Sequence, residues 1–114
     1  MIYTGKLNID DYGCLKCGNE YLIASIEDDF KKGDKVFIRY YIADKEITVE
    51  QANTALIIKT CGGDIEELDF QLDAYSEYTI LDYNEELKVG GHDLFDELQD
   101  YDGKYLILII EKQK

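Results

Sequence analysis

Residues 64–74 read DIEELDFQLDA. From position 67 onward Leu68, Phe70, Leu72 and Ala74 alternate with Glu67, Asp69, Gln71 and Asp73. Successive side chains of a strand point to opposite faces, so this period of two predicts a half-buried β-strand with a carboxylate-bearing outer face. Residues 78–83 (YTILDY), after a Tyr75-Ser76-Glu77 turn, supply its partner. A sheet with one wet face and one dry face is normally antiparallel.

Working outward, residues 35–43 (KVFIRYYIA) are β-branched and aromatic throughout and predict a strong strand, as does the apolar run 104–111. Residues 1–9 alternate loosely enough to be a first strand and residues 21–26 read as a second, separated by a Gly13- and Gly18-flanked turn or knuckle, DDYGCLKCGNE. The period changes to helical over 48–60, where Thr48 and Gln51 form a capping-box pair and Gly62-Gly63 end the element. A short second helix is expected over 93–101, with Leu94, Phe95, Leu98 and Tyr101 inward and Gly103 as its stop. The order β-β-β-α-β-β-α-β predicts an α+β fold: a curled antiparallel sheet or small open barrel of about six strands carrying two short helices. With 114 residues, no Pro, no low-complexity tract and no evident internal repeat, residues 1–114 read as a single domain.

The net charge of −13 is concentrated. Residues 64–102 hold 14 acids against Lys88 alone, whereas residues 1–63 hold 10 acids and 8 bases. Glu67, Asp69 and Asp73 would line one strand face, with same-face neighbours about 6.5–7 Å apart. Asp93, Asp96, Glu97 and Asp100 follow the spacing of one helix face, where like charges repel by a few tenths of a kcal/mol per pair. Two readings stand side by side: solvated faces of an acidic protein, or one negative surface for a basic partner. Ten Tyr and no Trp suit either strand filling or a contact surface. The acidic balance argues against direct binding of nucleic acid or of anionic membranes. The opening residues lack the basic flank and apolar run of a signal peptide, which predicts a cytoplasmic location.

Cys14 and Cys17 stand in a CxxC with the trailing Gly of a zinc knuckle, and Cys61 and His92 could complete a Cys3His set. A second closely spaced pair is missing, so the expectation is no metal and no cofactor, the thiols being ordinary turn or core residues. A redox-active CxxC needs a helix N-terminus, and this one lies between strands. With one His and only Ser25 and Ser76 as serines, no nucleophile–base pair emerges, and an enzyme is not expected. His92 is expected at the start of the second helix, its ring bonded to backbone groups there.

The stretches VFIRYY (36–41), YSEYT (75–79) and LKVGGHDLFDELQDYDGKYLILIIE (87–111) resemble small uncharacterised bacterial and phage proteins that end in a GGHDL, GKYL and terminal-strand pattern. The resemblance covers about half the chain and implies a mobile-element setting without an established activity; the CxxC is no part of the pattern. In size and charge the chain is also similar to anti-CRISPR and anti-restriction inhibitors. The expected function is an acidic protein-binding module, in its most concrete form an inhibitor occupying the basic groove of a nucleic-acid-handling host complex by mimicking nucleic acid. The alternative is a structural or regulatory domain, zinc-stabilised through Cys14 and Cys17.

Overall fold

The computed structural model describes residues 1–76 and 79–113, and side chains outside 74–82. In chain order the elements are β1 (Ile2–Ile9), β2 (Leu15–Cys17), β3 (Glu20–Tyr21), α1 (Leu22–Glu27), β4 (Lys35–Ala43), a 3₁₀ helix (Val49–Thr54), β5 (Ile57–Ser76), β6 (Thr79–Val89), β7 (His92–Asp93), α2 (Leu94–Gln99) and β8 (Tyr105–Lys112). The strands form one sheet in the order β3-β2-β1-β8-β4-β5-β6-β7, with every pairing antiparallel. This is an open, curled half-barrel of the α+β class, as the alternation predicted, with eight strands rather than about six. Among the described residues no helix is long and apolar enough to cross a membrane.

Three local expectations are corrected. Residues 22–27 are helical rather than the continuation of a strand, because Leu22, Ile23 and Ile26 reach the core only on one side of a helix. The helix expected over 48–60 is a single 3₁₀ element. Its capping box forms, with the Thr48 N–H donating to Gln51 Oε1 at 3.1 Å. From Ile57 the backbone pairs with β4 instead, so long-range ladder bonds win over local helical spacing. Gly62-Gly63 therefore lie inside β5 and stop no helix. The Tyr75-Ser76-Glu77 turn and Tyr78 fall at positions that include 77 and 78, outside the described residues, while the partner strand runs on to Val89.

The structure also contains an internal repeat that the sequence reading did not find. The sheet order reads the same from either end once β1, β2, β3 and β4 are exchanged for β5, β6, β7 and β8. The segments LKCGNEYLIASIED (15–28) and LKVGGHDLFDELQD (87–100) occupy equivalent positions, each a strand, a glycine turn, a two-residue strand and a six-residue helix. The hydrogen bonds repeat as well. Gly18 N donates to Lys6 O at 2.9 Å and Gly90 N to Asp64 O at 3.2 Å; Leu7 N donates to Lys104 O and Ile65 N to Asp34 O, both at 2.8 Å. In the β4–β8 ladder Arg39 stands opposite Ile109, its own equivalent, so a pseudo-two-fold axis passes through that pair. The halves exchange strands: β1 adds to β8 and β5 to β4.

Both helices lie on the inner face, where Leu22, Ile23 and Ile26 of one half and Leu94 and Leu98 of the other join one cluster with Val36, Ile38, Ile42, Leu106, Leu108 and Ile110. Full burial of each such side chain contributes about 1.5–3 kcal/mol. The outermost strands, β3 and β7, are only two residues long, and β7 pairs with Lys88 and Val89 of β6. Each half bends where two glycines meet. A Cβ on Gly5 would lie 2.7 Å from Gly18 N, and one on Gly63 (φ +138°) would lie 2.9 Å from Gly90 Cα. At Gly90 (φ +54°) a Cβ would stand 2.2 Å from Gly62 O, whereas Gly91 (φ +84°) faces open space. Gly91→Ala should therefore cost only the positive-φ penalty, about 1–2 kcal/mol. Gly90→Ala adds a backbone clash and should cost about 3 kcal/mol or more by chemical denaturation. Equal losses would mean that the close crossing is not a structural requirement.

Candidate functional site

The seven carboxylates singled out in the sequence fall into two rows. On the β5–β6 ribbon the register sets Glu67 opposite Lys88, Asp69 opposite Glu86, Gln71 opposite Asn84 and Asp73 opposite Asp82. Residues directly opposite share a face, and alternation turns this one away from Leu68 and Phe70, which pack on the core. Lys32 Nζ lies 3.7 Å from Glu67, Asn84 Nδ2 donates to Asp69 Oδ2 at 2.6 Å, and Gln71 Nε2 donates to Asp73 Oδ2 at 3.2 Å.

The second row is on α2, on the side of the sheet that carries the helices. Asp93 caps the helix by accepting from Asp96 N at 3.1 Å. Asp96 and Asp100 are exposed. Glu97 does not belong to this outer row: it turns inward, accepts from the Tyr40 hydroxyl at 2.9 Å, and lies 3.5 Å from His92 Nδ1. His92 thus faces a side-chain carboxylate rather than the expected backbone groups. Tyr83 and Tyr101 of the acidic segment serve internal contacts, the latter with its ring 6.4 Å from that of Tyr40. The Tyr75 and Tyr78 side chains lie outside the described residues.

The metal candidates divide between two surroundings. Cys17 is part of the apolar cluster, and burial pushes its thiol up to about 11. Cys14 is fully buried; burial first, then the Glu85 and Asp10 carboxylates, push its thiol up to about 12, against a smaller opposing effect of Tyr83. Both are therefore neutral thiols near pH 7. Cys61 lies on β5 opposite Ile38, in the company of Tyr40 and Glu97. Among the described residues no three His, Cys, Asp or Glu side chains are arranged to hold a metal ion.

What organises the knuckle is carboxylate chemistry. Asp10 Oδ1 accepts from Tyr12 N and Cys14 N, each at 2.9 Å, and Oδ2 accepts from the Tyr21 hydroxyl at 3.0 Å. Burial opposes ionisation of Asp10, but these bonds outweigh it and hold the carboxyl below its ordinary range. From the far end of the sheet β6 delivers Glu85, the one buried charged side chain among the described residues. Leu15 N donates to both its oxygens, at 3.1 and 3.3 Å, and the Tyr83 hydroxyl lies 2.9 Å from Oε2. This clasp ties the long β5–β6 arm to the knuckle of the opposite half, and no sequence signal distinguished Glu85 from the other acids.

Two recesses are related by the pseudo-two-fold. One, of about 370 Å³, is lined by Tyr40, Lys59, Thr60, Cys61, His92 and Glu97. Its counterpart in the first half, about 90 Å³, includes Tyr3, Glu20 and Ser25, the equivalents of Cys61, His92 and Glu97. A larger opening of about 680 Å³ is lined mostly by the 44–56 connector, where Asp44 is paired with Lys104. No protein-family model, curated protein or solved structure matches this chain.

Burial raises the Glu85 carboxyl above its ordinary range, more than the bonds from Leu15 N and Tyr83 lower it. A folded-state pKa raised above the unfolded one contributes stability that is present at acid pH and lost as pH rises through the folded value. Glu85→Gln keeps acceptor oxygen toward Leu15 N without that ionisation. It should be no more stable than the parent near pH 4 and more stable at pH 7, read by thermal unfolding across pH. A variant less stable at neutral pH would mean that the charge itself holds the clasp.

Proposed function

We propose that this protein is an acidic protein-binding module that presents the β5–β6 outer face to a basic partner, with the α2 row as a second acidic surface on the helix side of the sheet. The observation that carries this reading is a cost the fold accepts. Asp69 stands opposite Glu86, a pairing that destabilises a sheet where opposite charges would support it. Such a face binds through steering and charge complementarity. In its narrower form the partner is a nucleic-acid-handling complex whose basic groove the carboxylates fill in place of phosphates.

Asp69→Lys trades its like-charged register partner Glu86 for an opposite one but loses the Asn84 bond, and Asp73→Lys loses the Gln71 bond, so each should leave stability within about 1 kcal/mol of the parent. Together they should weaken capture of a labelled Lys/Arg-rich peptide at least tenfold. Capture by the parent should also fall steeply between roughly 0.05 and 0.5 M salt, as screened contacts do. The measurement is fluorescence anisotropy beside thermal unfolding. Capture unchanged by both reversal and salt would leave the charge with solvation alone.

A further inference from the structure

We propose that the recess between β4, β5, β7 and α2 receives one basic side chain of the partner, with the Glu97 carboxylate as its counter-ion; this rests on the acidic-module reading above. The fold supplies its own comparison. The same backbone builds this hollow twice, and in the first half it is much smaller, at about 90 Å³ against about 370 Å³. There Tyr3 occupies the place of Cys61 with its hydroxyl donating to Asp29 Oδ2 at 2.7 Å, and Ser25 replaces Glu97 with its hydroxyl spent on Tyr21 O at 3.0 Å. In the second half the smaller Cys61 leaves about 370 Å³ open above a carboxylate.

The geometry suits a cation with several donors. The Tyr40 hydroxyl, on a side chain 1% exposed, fixes Glu97 Oε1 and so sets the orientation of the carboxylate. Oε2 has His92 Nδ1 at 3.5 Å, too long for a strong bond. Glu97 is 28% exposed, so a charge meeting it is screened less by water than one meeting the exposed Asp96. A guanidinium offers paired N–H donors that match a carboxylate. Asp93, Asp96 and Asp100 of the same helix add a negative field, opposed by Lys59 and His92 in the lining. Lys59 should therefore hinder an incoming cation.

The test is an amide NMR titration of the full chain at low salt with N-acetyl-arginine amide, beside its uncharged isostere N-acetyl-citrulline amide. Saturable shifts are expected at Cys61, His92 and Glu97 with the arginine compound alone, and none at the equivalent Tyr3, Glu20 and Ser25. Glu97→Gln, which keeps an acceptor for Tyr40, should abolish them, and Lys59→Ala should tighten binding about two- to threefold. Equal response to citrulline, equal shifts in both recesses, persistence in Glu97→Gln, or loss of binding in Lys59→Ala would each overturn the proposal. The last would mark an anion site instead. If Glu97→Gln still captures the basic peptide with full salt dependence while the arginine response fails in the parent, the recess falls and the acidic-module reading stands. If the recess responds as expected while the strand reversals leave peptide capture intact, the broader reading is the one that fails.

Discussion

Eight consecutive register pairs, from Val36 opposite Lys112 to Ala43 opposite Tyr105, hold β4 against β8, and each half hangs its first strand on the outside of the other half's last one. Neither half therefore owns a continuous sheet. β1 to β3 of the first half are separated from β4 by a strand of the second, and the second half mirrors that arrangement. Such interleaving makes the core of each half conditional on the other, because Val36, Ile38, Leu106, Leu108 and Ile110 are covered only when the central pair has formed. Pairings this distant in sequence also carry a loop-closure cost that is met before any contact rewards it.

On that symmetric frame the halves differ in two respects, and both bear on function. The hairpin between β5 and β6 is far longer than its counterpart between β1 and β2, and it carries the like-charged outer face. Its length lets it curl across to the first half, where Glu85 receives Leu15 N and closes the arm on the knuckle. The other difference is small in atoms: Cys61 stands in place of Tyr3 and Glu97 in place of Ser25 where the recess of the second half is the larger and carries a carboxylate.

Much of this was legible in the residues. The run 35–43 is a strand with the same bounds as read, and 104–111 differs from β8 by one residue at each end. Both are continuous β-branched or aromatic stretches whose preference agrees with their central position. The second helix was found from Leu94 and Leu98, the side chains it buries. The first was missed because LIASIE is short and apolar enough to read as strand, yet its equivalence to LFDELQ was available. Leu15, Lys16, Gly18, Leu22 and Asp28 recur as Leu87, Lys88, Gly90, Leu94 and Asp100. Reading one copy as strand and the other as helix hid the repeat. The acidic rows were visible as charge, but that Glu97 turns inward and that Glu85 is buried were not, since each is held by a partner remote in the chain, Tyr40 for Glu97 and Leu15 for Glu85.

By itself the sequence determined which stretches alternate, which carry charge and that the class is α+β, because strand period, turn glycines and β-branched runs act on their immediate neighbours. Only the tertiary structure decided the exchange of strands, the bend at Gly63 and Gly90, the meeting of Tyr40, Cys61, His92 and Glu97, and the pairing of Asp69 with Glu86. These depend on register between strands remote in the chain. Register is set by the collective burial of an entire face, a quantity that no single stretch of residues contains.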